Sequence, residues 1–380
     1  MNESLKGIYI HIPFCQSKCP YCDFYSTAPA EEVVESYVNA VLSELEGFER
    51  TKALVAHIDK NSIKSDTLYF GGGTPSLIGG EPLSQITGLC RKNYLTPDAE
   101  ITVECNPHSS SPELFNVLSD TGVNRISLGM QSVNDVERKK LGRRSGKEEV
   151  KAAVNAAKDS GITNISLDLM LGIPGQTTDS LKRSIDFCAE AGAKHVSAYI
   201  LQIEEGTAFF RLRDTLNLLG EEETCEMYLS ACTMLEEYGY GQYEISNFAL
   251  KGFESRHNLK YWNCEEYLGI GSSAHSLFDG KRYFFTRSIE DFINKKPPLP
   301  DGDGGTEYEY VMLRLRLREG LTQSGFAERF GHLVPCEIFA KARSKAYAGL
   351  LNIDEKSISF TRNGFLLSNT IIGDLTDCFD

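Results

Sequence analysis

Residues 8–22 read IYIHIPFCQSKCPYC, an apolar alternating stretch that runs directly into three closely spaced thiols. Pro13 and Pro20 oppose a helix here, because proline removes a backbone donor and clashes with the preceding turn. The stretch therefore predicts a strand followed by an irregular loop, rather than a helix with a buried stripe of cysteines. The three thiols in this loop are Cys15, Cys19 and Cys22.

The donor set of this loop favours an iron–sulfur cluster. Thiolates hold either zinc or iron–sulfur clusters, and a structural zinc ion normally takes four protein ligands. No second Cys-x-x-Cys pair or His-x-x-x-His pair stands near residues 15–22 in the sequence. Three thiolates suit a four-iron cluster that keeps one iron open for a substrate. We therefore expect a cluster, with a zinc site or reduced thiols without a metal as the alternatives.

Length and composition limit the class of protein. At 380 residues the chain is long enough for two or three domains, or for one large α/β barrel with an appendage. The cysteines outside the loop have no regular spacing, which predicts reduced, buried residues in a cytoplasmic protein. The first residues show no basic-then-apolar leader, and no apolar run approaches about 18 residues, so we expect neither secretion nor a membrane-spanning helix. The net charge of −14 opposes a general nucleic-acid binder.

Short β-type runs alternate with helix-length amphipathic segments over the first 200 residues. Serines before Pro112 and glycines at positions 122, 161 and 192 are typical of helix ends. Repeated βα units predict a parallel sheet, and six units are too few for a closed eight-stranded barrel. We therefore expect an α/β fold built on an open, partial (β/α)6 barrel. The predicted strands are residues 8–12, 67–70, 101–104, 125–129, 166–170 and 195–200, and the predicted helices are residues 31–49, 82–91, 112–120, 147–160 and 178–191.

The remainder of the chain predicts a smaller second unit. A helical stretch at 220–239 precedes a β-like run at 240–245, and residues 295–305 are rich in proline, glycine and charge, which is typical of a linker. After it come two helices and an alternating pair of β-type runs between 350 and 367, with Asn363-Gly364 as a plausible turn. This order predicts a small C-terminal α+β domain that is winged-helix-like, with a protein-contact role because the chain is acidic. The expected domains are residues 1–220, 221–295 and 306–380.

Glycine and polar residues follow the predicted strands, where parallel barrels bind their ligands. Residues 71–75 read GGGTP, and glycine lets a backbone approach a ligand closely, although a tight strand-to-helix turn would also explain the run. Glu104, Gln131, Arg143 and Asp168 lie at or just past other strand ends. Each has an ordinary alternative, namely a helix cap, a loop hydrogen bond or a surface cation. Their shared place at one end of one barrel favours a binding cavity.

The cysteine spacing, with Tyr21 before the last cysteine, resembles the signature of the radical SAM superfamily. The resemblance implies the partial barrel, a [4Fe–4S] cluster on the three cysteines, and S-adenosylmethionine chelated to the open iron through its amino and carboxylate groups. It also implies that an electron from the cluster breaks a carbon–sulfur bond and releases a 5′-deoxyadenosyl radical. An electron donor such as flavodoxin or ferredoxin would be the partner in that step.

Segments at the strand ends resemble one branch of the superfamily, the oxygen-independent coproporphyrinogen III oxidases and their relatives. The segments are residues 104–107, 129–132, 141–143 and 167–177. The resemblance implies that the S-adenosylmethionine site contains Tyr9, Tyr21, Gly72, Gly73, Thr74, Glu104, Gln131, Arg143 and Asp168. Gln202 is a further candidate for the same cavity.

Three features resemble the HemW-type heme chaperones within that branch. The oxidases place a fourth cysteine two residues after the third, where this chain has Phe24, and they carry a longer N-terminal arm. Residues 257–262 read HNLKYW, which resembles the His-Asn-x-x-Tyr-Trp motif of the chaperones. The resemblance covers nearly all of the first 280 residues and continues more loosely to the end.

Three histidines deserve comparison as ligands. His257 is a candidate heme ligand, because a neutral imidazole nitrogen binds iron well and Tyr261 and Trp262 could stack on a macrocycle. The alternative is a histidine that hydrogen-bonds within a turn while both aromatic rings fill a core. His275, after a glycine-rich segment, is a second candidate, with a tight turn as its alternative. His11, in the first strand, is expected to be a core histidine with its hydrogen bonds satisfied.

The leading expectation is a heme chaperone that binds a [4Fe–4S] cluster, S-adenosylmethionine and heme. By resemblance it would pass heme to apo-hemoproteins such as respiratory cytochromes, with a homodimer as one option. The second expectation is an oxygen-independent coproporphyrinogen III oxidase, in which radical chemistry decarboxylates propionates to vinyl groups. A third, less favoured one is a metal-stabilised interaction protein without catalysis.

Overall fold

The computed structural model describes residues 5–28, 30–56 and 58–379. Its strands are β1 (Lys6–Ile12), β2 (Ser65–Gly72), β3 (Leu95–Cys105), β4 (Arg125–Gln131), β5 (Asn164–Leu171), β6 (His195–Ile200), β7 (Gly241–Gln242), β8 (Asn247–Ala249), β9 (Tyr267–Ile270), β10 (His275–Phe278), β11 (Lys281–Phe284), β12 (Leu299–Asp303), β13 (Leu321–Thr322), β14 (Leu351–Ile353) and β15 (Ser357–Phe360). Its α-helices are α1 (Glu31–Gly47), α2 (Gly80–Asn93), α3 (Pro112–Asp120), α4 (Asp135–Lys140), α5 (Lys147–Asp159), α6 (Thr178–Glu190), α7 (Ala208–Leu212), α8 (Glu221–Glu237), α9 (Arg256–Trp262), α10 (Ile289–Ile293), α11 (Glu307–Arg314), α12 (Gln323–Phe330), α13 (Cys336–Ala342), α14 (Arg362–Leu366) and α15 (Ser368–Thr376).

A parallel sheet forms the centre of the fold. Strands β1 to β6 lie side by side in sequence order, and each pairs with the next in the parallel sense. Strand β9 adds to the free side of β1, also parallel, and β10, β11 and β12 continue the sheet in the antiparallel sense. At the other end β8 and β7 follow β6, antiparallel to it. The prediction of an open, partial βα barrel is confirmed.

The predicted signals at the helix ends explain where the crossover helices stop and start. The Ser111 side chain accepts a hydrogen bond from the Leu114 N–H, so it caps α3 ahead of Pro112 at the first helical position. Gly122 and Gly161 follow α3 and α5 with φ of 95° and 93°, in the left-handed region that glycine enters without steric cost. The helices therefore begin and end close to the predicted positions.

All the carboxyl ends of the parallel strands lie at one end of the barrel, which we call the mouth. Outward-facing residues such as Ile8, Ile10 and Ile12 are fully buried under the helices. The inward-facing residues alternate with them, as strand geometry requires. The mouth is defined by the strand ends Ile12, Gly72, Cys105, Gln131, Leu171 and Ile200.

Three sequence interpretations outside the barrel are corrected by the structure. Residues 295–305 are not simply a linker, because Leu299–Asp303 is strand β12 at the edge of the large sheet, a position where sheets tolerate proline. The run 240–245 contributes only Gly241–Gln242, and the strand paired with β6 is Asn247–Ala249. Asn363-Gly364 is not a turn but part of α14, and the β14–β15 hairpin turns instead at Asp354, whose carboxylate accepts two backbone N–H groups.

The C-terminal part has the connectivity of a winged helix. Helix α11 is followed by β13, then α12 and α13, then the β14–β15 hairpin. Strand β15 pairs with both β13 and β14 in the antiparallel sense, which makes a small sheet separate from the large one. The winged-helix-like arrangement is thus present, extended by α14 and α15. The domain boundaries near residues 220 and 295 stay predictions, because one hydrogen-bonded sheet runs through both positions.

Two further observations concern the cysteines and the helices. In the part of the chain that the structure describes, every cysteine is free of a disulfide bond. Among the same residues, no helix combines the length and apolarity that crossing a membrane requires.

The central strands should carry much of the stability. Leu128 in β4 is fully buried in the main core, so Leu128→Ala should lower the free energy of unfolding by about 2–5 kcal/mol. Leu333, 63% exposed, is the matched control, and Leu333→Ala should change that free energy by less than about 0.5 kcal/mol. Urea unfolding followed by circular dichroism measures both, and equal effects would contradict the described core.

Candidate cofactor site at the mouth of the barrel

Two backbone hydrogen bonds hold the cysteine loop against the end of β2. The Gly73 N–H donates to the Ile12 carbonyl at 2.8 Å, and the Thr74 N–H donates to the Phe14 carbonyl at 2.8 Å. A Cβ on Gly73 would lie 2.6 Å from the Phe14 oxygen, so only glycine allows this approach. On the other side, the Cys15 N–H donates to the Thr27 carbonyl at 3.0 Å. Backbone hydrogen bonds on both sides therefore hold the start of the loop in place.

The three cysteines of the loop are half-buried and electrostatically coupled. Burial raises the pKa of the Cys22 thiol, the Phe24 N–H lowers it, and Cys19 and Cys15 raise it further. The Cys15 sulfur also lies 3.6 Å from the Thr74 hydroxyl. The three thiolates repel one another because each carries a negative charge. Binding of positively charged iron would relieve this repulsion, so the three sulfurs are suitable ligands for an iron–sulfur cluster.

The loop does not form a cage for a single ion. Among the described residues, no group of three or more His, Cys, Asp or Glu side chains is close enough to hold one metal ion. The fit of this loop to a cluster therefore depends on its donor chemistry and on its place at the mouth.

Glu104 connects the glycine turn to the inner face of the barrel. The Tyr69 hydroxyl donates to its Oε1 at 2.8 Å, and the Gly72 N–H donates to its Oε2 at 3.3 Å. Burial raises the pKa of the Glu104 carboxyl to about 7. The two hydrogen bonds lower this pKa, but their effect is smaller than that of burial. Gly72 has φ of 112°, and a Cβ there would lie 2.5 Å from the His11 ring. The carboxylate thus lies directly beside the backbone turn that follows β2.

A second set of predicted residues lies across the mouth. The Arg143 guanidinium donates to the Tyr21 hydroxyl at 2.9 Å, and this bond links the loop between α4 and α5 to the cysteine loop. Asp168 accepts a hydrogen bond from the Ser127 hydroxyl at 3.0 Å, and burial raises the pKa of its carboxyl. Gln131 ends β4 with φ of 67°, an uncommon left-handed backbone for this residue type.

The positions of Tyr9, Gln202 and His257 differ from those of the other predicted residues. Tyr9 lies deeper on the inner face, and its hydroxyl is 3.0 Å from His11 Nδ1. Gln202 is exposed beyond β6. His257 lies at the opposite end of the barrel, next to the start of β2, and its ring is 5.1 Å from that of Tyr69.

Both ring nitrogens of His257 already have protein partners. Nδ1 is 2.8 Å from the Thr67 hydroxyl, and Nε2 is 2.7 Å from the Tyr261 hydroxyl. The residue is 1% exposed, and burial lowers the pKa of its imidazole to about 3. This geometry favours the alternative interpretation, a histidine that hydrogen-bonds inside the protein. Heme ligation by His257 stays a prediction.

The sequence interpretation missed Tyr69 and Ser127, which position the two carboxylates. Both residues face the inside of the barrel, and each stands two positions after another polar residue. Tyr69 follows Thr67 in this way, and Ser127 follows Arg125. An alternation of polar residues along one strand of an otherwise apolar parallel sheet was the available signal.

Comparisons with known proteins identify the superfamily and the fold. The model of the radical SAM superfamily matches residues 9–188, and that of the HemN C-terminal domain matches residues 308–367. Coproporphyrinogen III oxidase (HemN) from Escherichia coli, a solved structure, superposes with a TM-score of 0.82 at 21% identity, covering 99% of this chain and 91% of that one. The fold is therefore that of a radical SAM protein. Membership of that superfamily implies a [4Fe–4S] cluster and S-adenosylmethionine as cofactors.

Similar curated proteins identify the family within this superfamily. The Bacillus subtilis protein named heme chaperone HemW is 34% identical over 97% of this chain and 98% of its own length. The Escherichia coli protein of the same name is 37% identical over 84% of this chain and 85% of its own length. The Mycobacterium tuberculosis protein of the same name is 34% identical over 96% of this chain and 93% of its own length. The chain belongs to the HemW family.

The raised pKa of Glu104 gives the stability a defined pH dependence. A carboxyl with a folded-state pKa near 7 and an ordinary value of 4.5 holds its proton more tightly in the folded protein. Its contribution to stability is therefore complete below about pH 4.5 and is lost as the pH rises through about 7. Glu104→Gln should become progressively more stable, relative to the unsubstituted protein, between about pH 5 and pH 8.

Urea unfolding at several pH values measures this difference. Glu205→Gln, at an exposed position, should keep the pH profile of the unsubstituted protein. A pH-independent difference for Glu104→Gln would show that the carboxyl ionises normally.

Proposed function

We propose that this chain is a cytoplasmic heme chaperone that binds a [4Fe–4S] cluster, S-adenosylmethionine and heme, and delivers heme to apo-hemoproteins such as respiratory cytochromes. The observation that carries the proposal is the similarity over nearly the whole chain to curated proteins named heme chaperone HemW. The arrangement at the mouth supports the cofactor part of it.

Cys15, Cys19 and Cys22 would hold the cluster as thiolates. Once bound, the cluster and S-adenosylmethionine supply one-electron chemistry at a sulfonium, with flavodoxin or ferredoxin as the proposed type of electron donor. The protein's part is to keep the loop in one place, through the hydrogen bonds from Gly73 and Thr74 to the end of β1 and the start of the loop.

The residues around the glycine turn would bind the amino-acid end of S-adenosylmethionine. Glu104 can accept hydrogen bonds from an ammonium group when it is ionised, and Gly72 and Gly73 leave the backbone of the turn open to a ligand. Tyr21 and Arg143 are joined by a hydrogen bond at the opposite wall. Asp168, Gln131 and Thr74 complete the proposed lining, and Tyr9 lies beneath it.

A second candidate function is the oxygen-independent oxidation of coproporphyrinogen III. The specific observation in its favour is the full-length superposition on the Escherichia coli HemN structure, although at 21% identity this likeness concerns the fold alone. Against it stands Phe24, 69% exposed, at the position where the oxidases carry a fourth cysteine. We therefore rank the chaperone first. Association into a homodimer stays a prediction.

Removal of single cysteines tests the cluster. Cys15→Ser, Cys19→Ser and Cys22→Ser should each lose most of the iron and the visible absorption of an anaerobically reconstituted protein, because each would supply one of only three thiolates. Cys336→Ser, at an exposed cysteine outside the loop, is the control and should keep both. Iron and sulfide analysis measures the outcome, and zinc in the unsubstituted protein would overturn the proposed cluster.

An anaerobic assay separates the two candidate functions. The reconstituted protein, given reductant, S-adenosylmethionine and coproporphyrinogen III, should form no protoporphyrinogen, whereas the protein loaded with heme should transfer it to an apo-cytochrome. The HemN oxidase serves as the positive control for porphyrin product. Steady formation of protoporphyrinogen would reverse the ranking.

A further inference from the structure

Heme transport requires an iron ligand, and the described histidines differ in their availability. His257 and His195 are each 1% exposed, and both ring nitrogens of each have protein partners. The two ring nitrogens of His11 lie 3.0 Å from the Tyr9 hydroxyl and 3.4 Å from the Tyr25 carbonyl. None of these imidazoles can bind iron without first giving up a buried hydrogen bond, which is costly.

His275, at the start of β10, is different. Its side chain is 57% exposed, and its ring stacks on Phe284 with centroids 5.1 Å apart and planes at 21°. Nδ1 faces the Asp301 carboxylate at 3.9 Å, and Nε2 has no hydrogen-bond partner among the described residues. The Asp301 carboxylate is too far from Nδ1 for a hydrogen bond, but its charge favours a proton on Nδ1, which leaves the free lone pair of the neutral ring on Nε2.

We propose that His275 Nε2 binds the iron of heme, at a surface site formed by His275, Phe284, Leu299 and Arg287 beside the mouth. This inference rests on the proposed function, since it names where the cargo of that function is held. We call these four residues the β10–β12 site.

The strand register places His275 on the inner face of the sheet. Tyr9 pairs with Gly269, and Tyr267, two residues before it, pairs with Leu277. Leu277 and His275 are two residues apart, so they share that face. The site is thus an extension of the barrel's inner surface beyond β1 and not a patch on its outside.

Apolar side chains adjoin the imidazole. His275 lies opposite Phe284, and Phe284 lies opposite Leu299, in neighbouring antiparallel strands. Directly opposed residues share one face of a sheet and touch. Leu299 is 45% exposed, so this row offers apolar surface to a macrocycle next to the ligand.

A cation is available for the propionates of heme. Arg287 is 64% exposed, and its guanidinium lies 3.7 Å from Asp23, the residue directly after Cys22. Arg282, in contrast, is engaged by Glu309 and the Tyr267 hydroxyl. A guanidinium binds carboxylates well, so Arg287 would exchange a half-exposed partner for a propionate.

The imidazole is in the protonation state that iron binding needs. Burial lowers the pKa of His275, and the Arg282 and Arg287 charges act in the same direction, while Asp301 opposes them. The neutral ring therefore prevails at pH 7.

The large cavity behind the cysteine loop is a poorer site for heme. It has a volume of about 800 Å³ and lies between the loop, α1 and α2, with Phe14 and Val34 among its apolar walls. Its described lining includes Glu31 and Glu35 but no lysine, arginine or histidine. Two carboxylates without a cation would repel the propionates, and no imidazole is present to bind iron.

Heme titration of the full, cluster-loaded chain tests the proposal. The unsubstituted protein should give a saturable Soret band with the spectrum of an imidazole-ligated heme. His275→Ala should weaken binding at least tenfold and lose that spectrum, and free imidazole should restore it. His108→Ala is the matched control, an exposed histidine at the same end of the barrel, and should stay within twofold of the unsubstituted protein.

A second pair of measurements tests the cation. Arg287→Ala should weaken the binding of heme several-fold but leave the binding of heme dimethyl ester, which lacks the free carboxylates, almost unchanged. Far-UV circular dichroism of His275→Ala and His275→Gln establishes that both fold.

The outcomes separate the two levels of proposal. If the unsubstituted protein binds heme and His275→Ala binds it with the same affinity and spectrum, the β10–β12 site is wrong and the chaperone function stands. If the unsubstituted protein shows no saturable heme binding, the proposed function itself fails.

Discussion

The mouth of this barrel depends on one backbone contact, the pair of hydrogen bonds that joins the end of β1 and the start of the cysteine loop to the turn after β2. The Gly73 and Thr74 N–H groups donate to the Ile12 and Phe14 carbonyls, and the approach leaves no room for a Cβ at Gly73. Because Cys15 follows Phe14 directly, this contact sets the position of the start of the cysteine loop relative to the barrel. Any side chain at Gly73 would push the loop away and separate Cys15 from the turn.

The interior of the barrel has two polar layers with different roles. The layer at the far end from the mouth, around His257, Thr67 and Tyr261, is buried and satisfied by its own hydrogen bonds, which offset the cost of removing it from water. The layer at the mouth, with Glu104 and Asp168, holds carboxyls whose pKa values are raised by burial. The first layer is complete without a ligand, whereas a cationic ligand would stabilise the second in its ionised form.

Much of the fold could be predicted because it depends on local signals. Strand β6 has the predicted bounds, and the cap at Ser111 and the glycine at 122 mark a helix as they do in any parallel βα unit. The edge strand β12 could not be predicted, because its residues carry the composition of a linker and its pairing with β11 is a long-range event. The prediction of a turn at Asn363-Gly364 was wrong. The Thr361 side chain accepts a hydrogen bond from the Gly364 N–H, and helix α14 starts there.

The candidate site was predicted in part for a similar reason. Glu104, the last residue but one of β3, and Asp168, three residues before the end of β5, lie near one another because the parallel strands end together. His257 was different: its motif identifies the family, but only the fold reveals that Thr67 and Tyr261 occupy both of its nitrogens. Sequence motifs show which residues a family keeps together and do not show whether a lone pair is free.

The difference between a chaperone and an oxidase on the same fold depends on where the macrocycle lies. On this fold, decarboxylation of a propionate at the mouth would require the porphyrin to enter the barrel. Iron bound by His275 would keep heme at the sheet edge, with Arg287 and Asp23 between it and the cysteine loop. From that position heme can be released to an acceptor without passing through the mouth, because His275 and Leu299 are open to solvent. A surface ligand next to the cluster loop therefore suits a cargo that is carried and handed on, and it suits a substrate poorly.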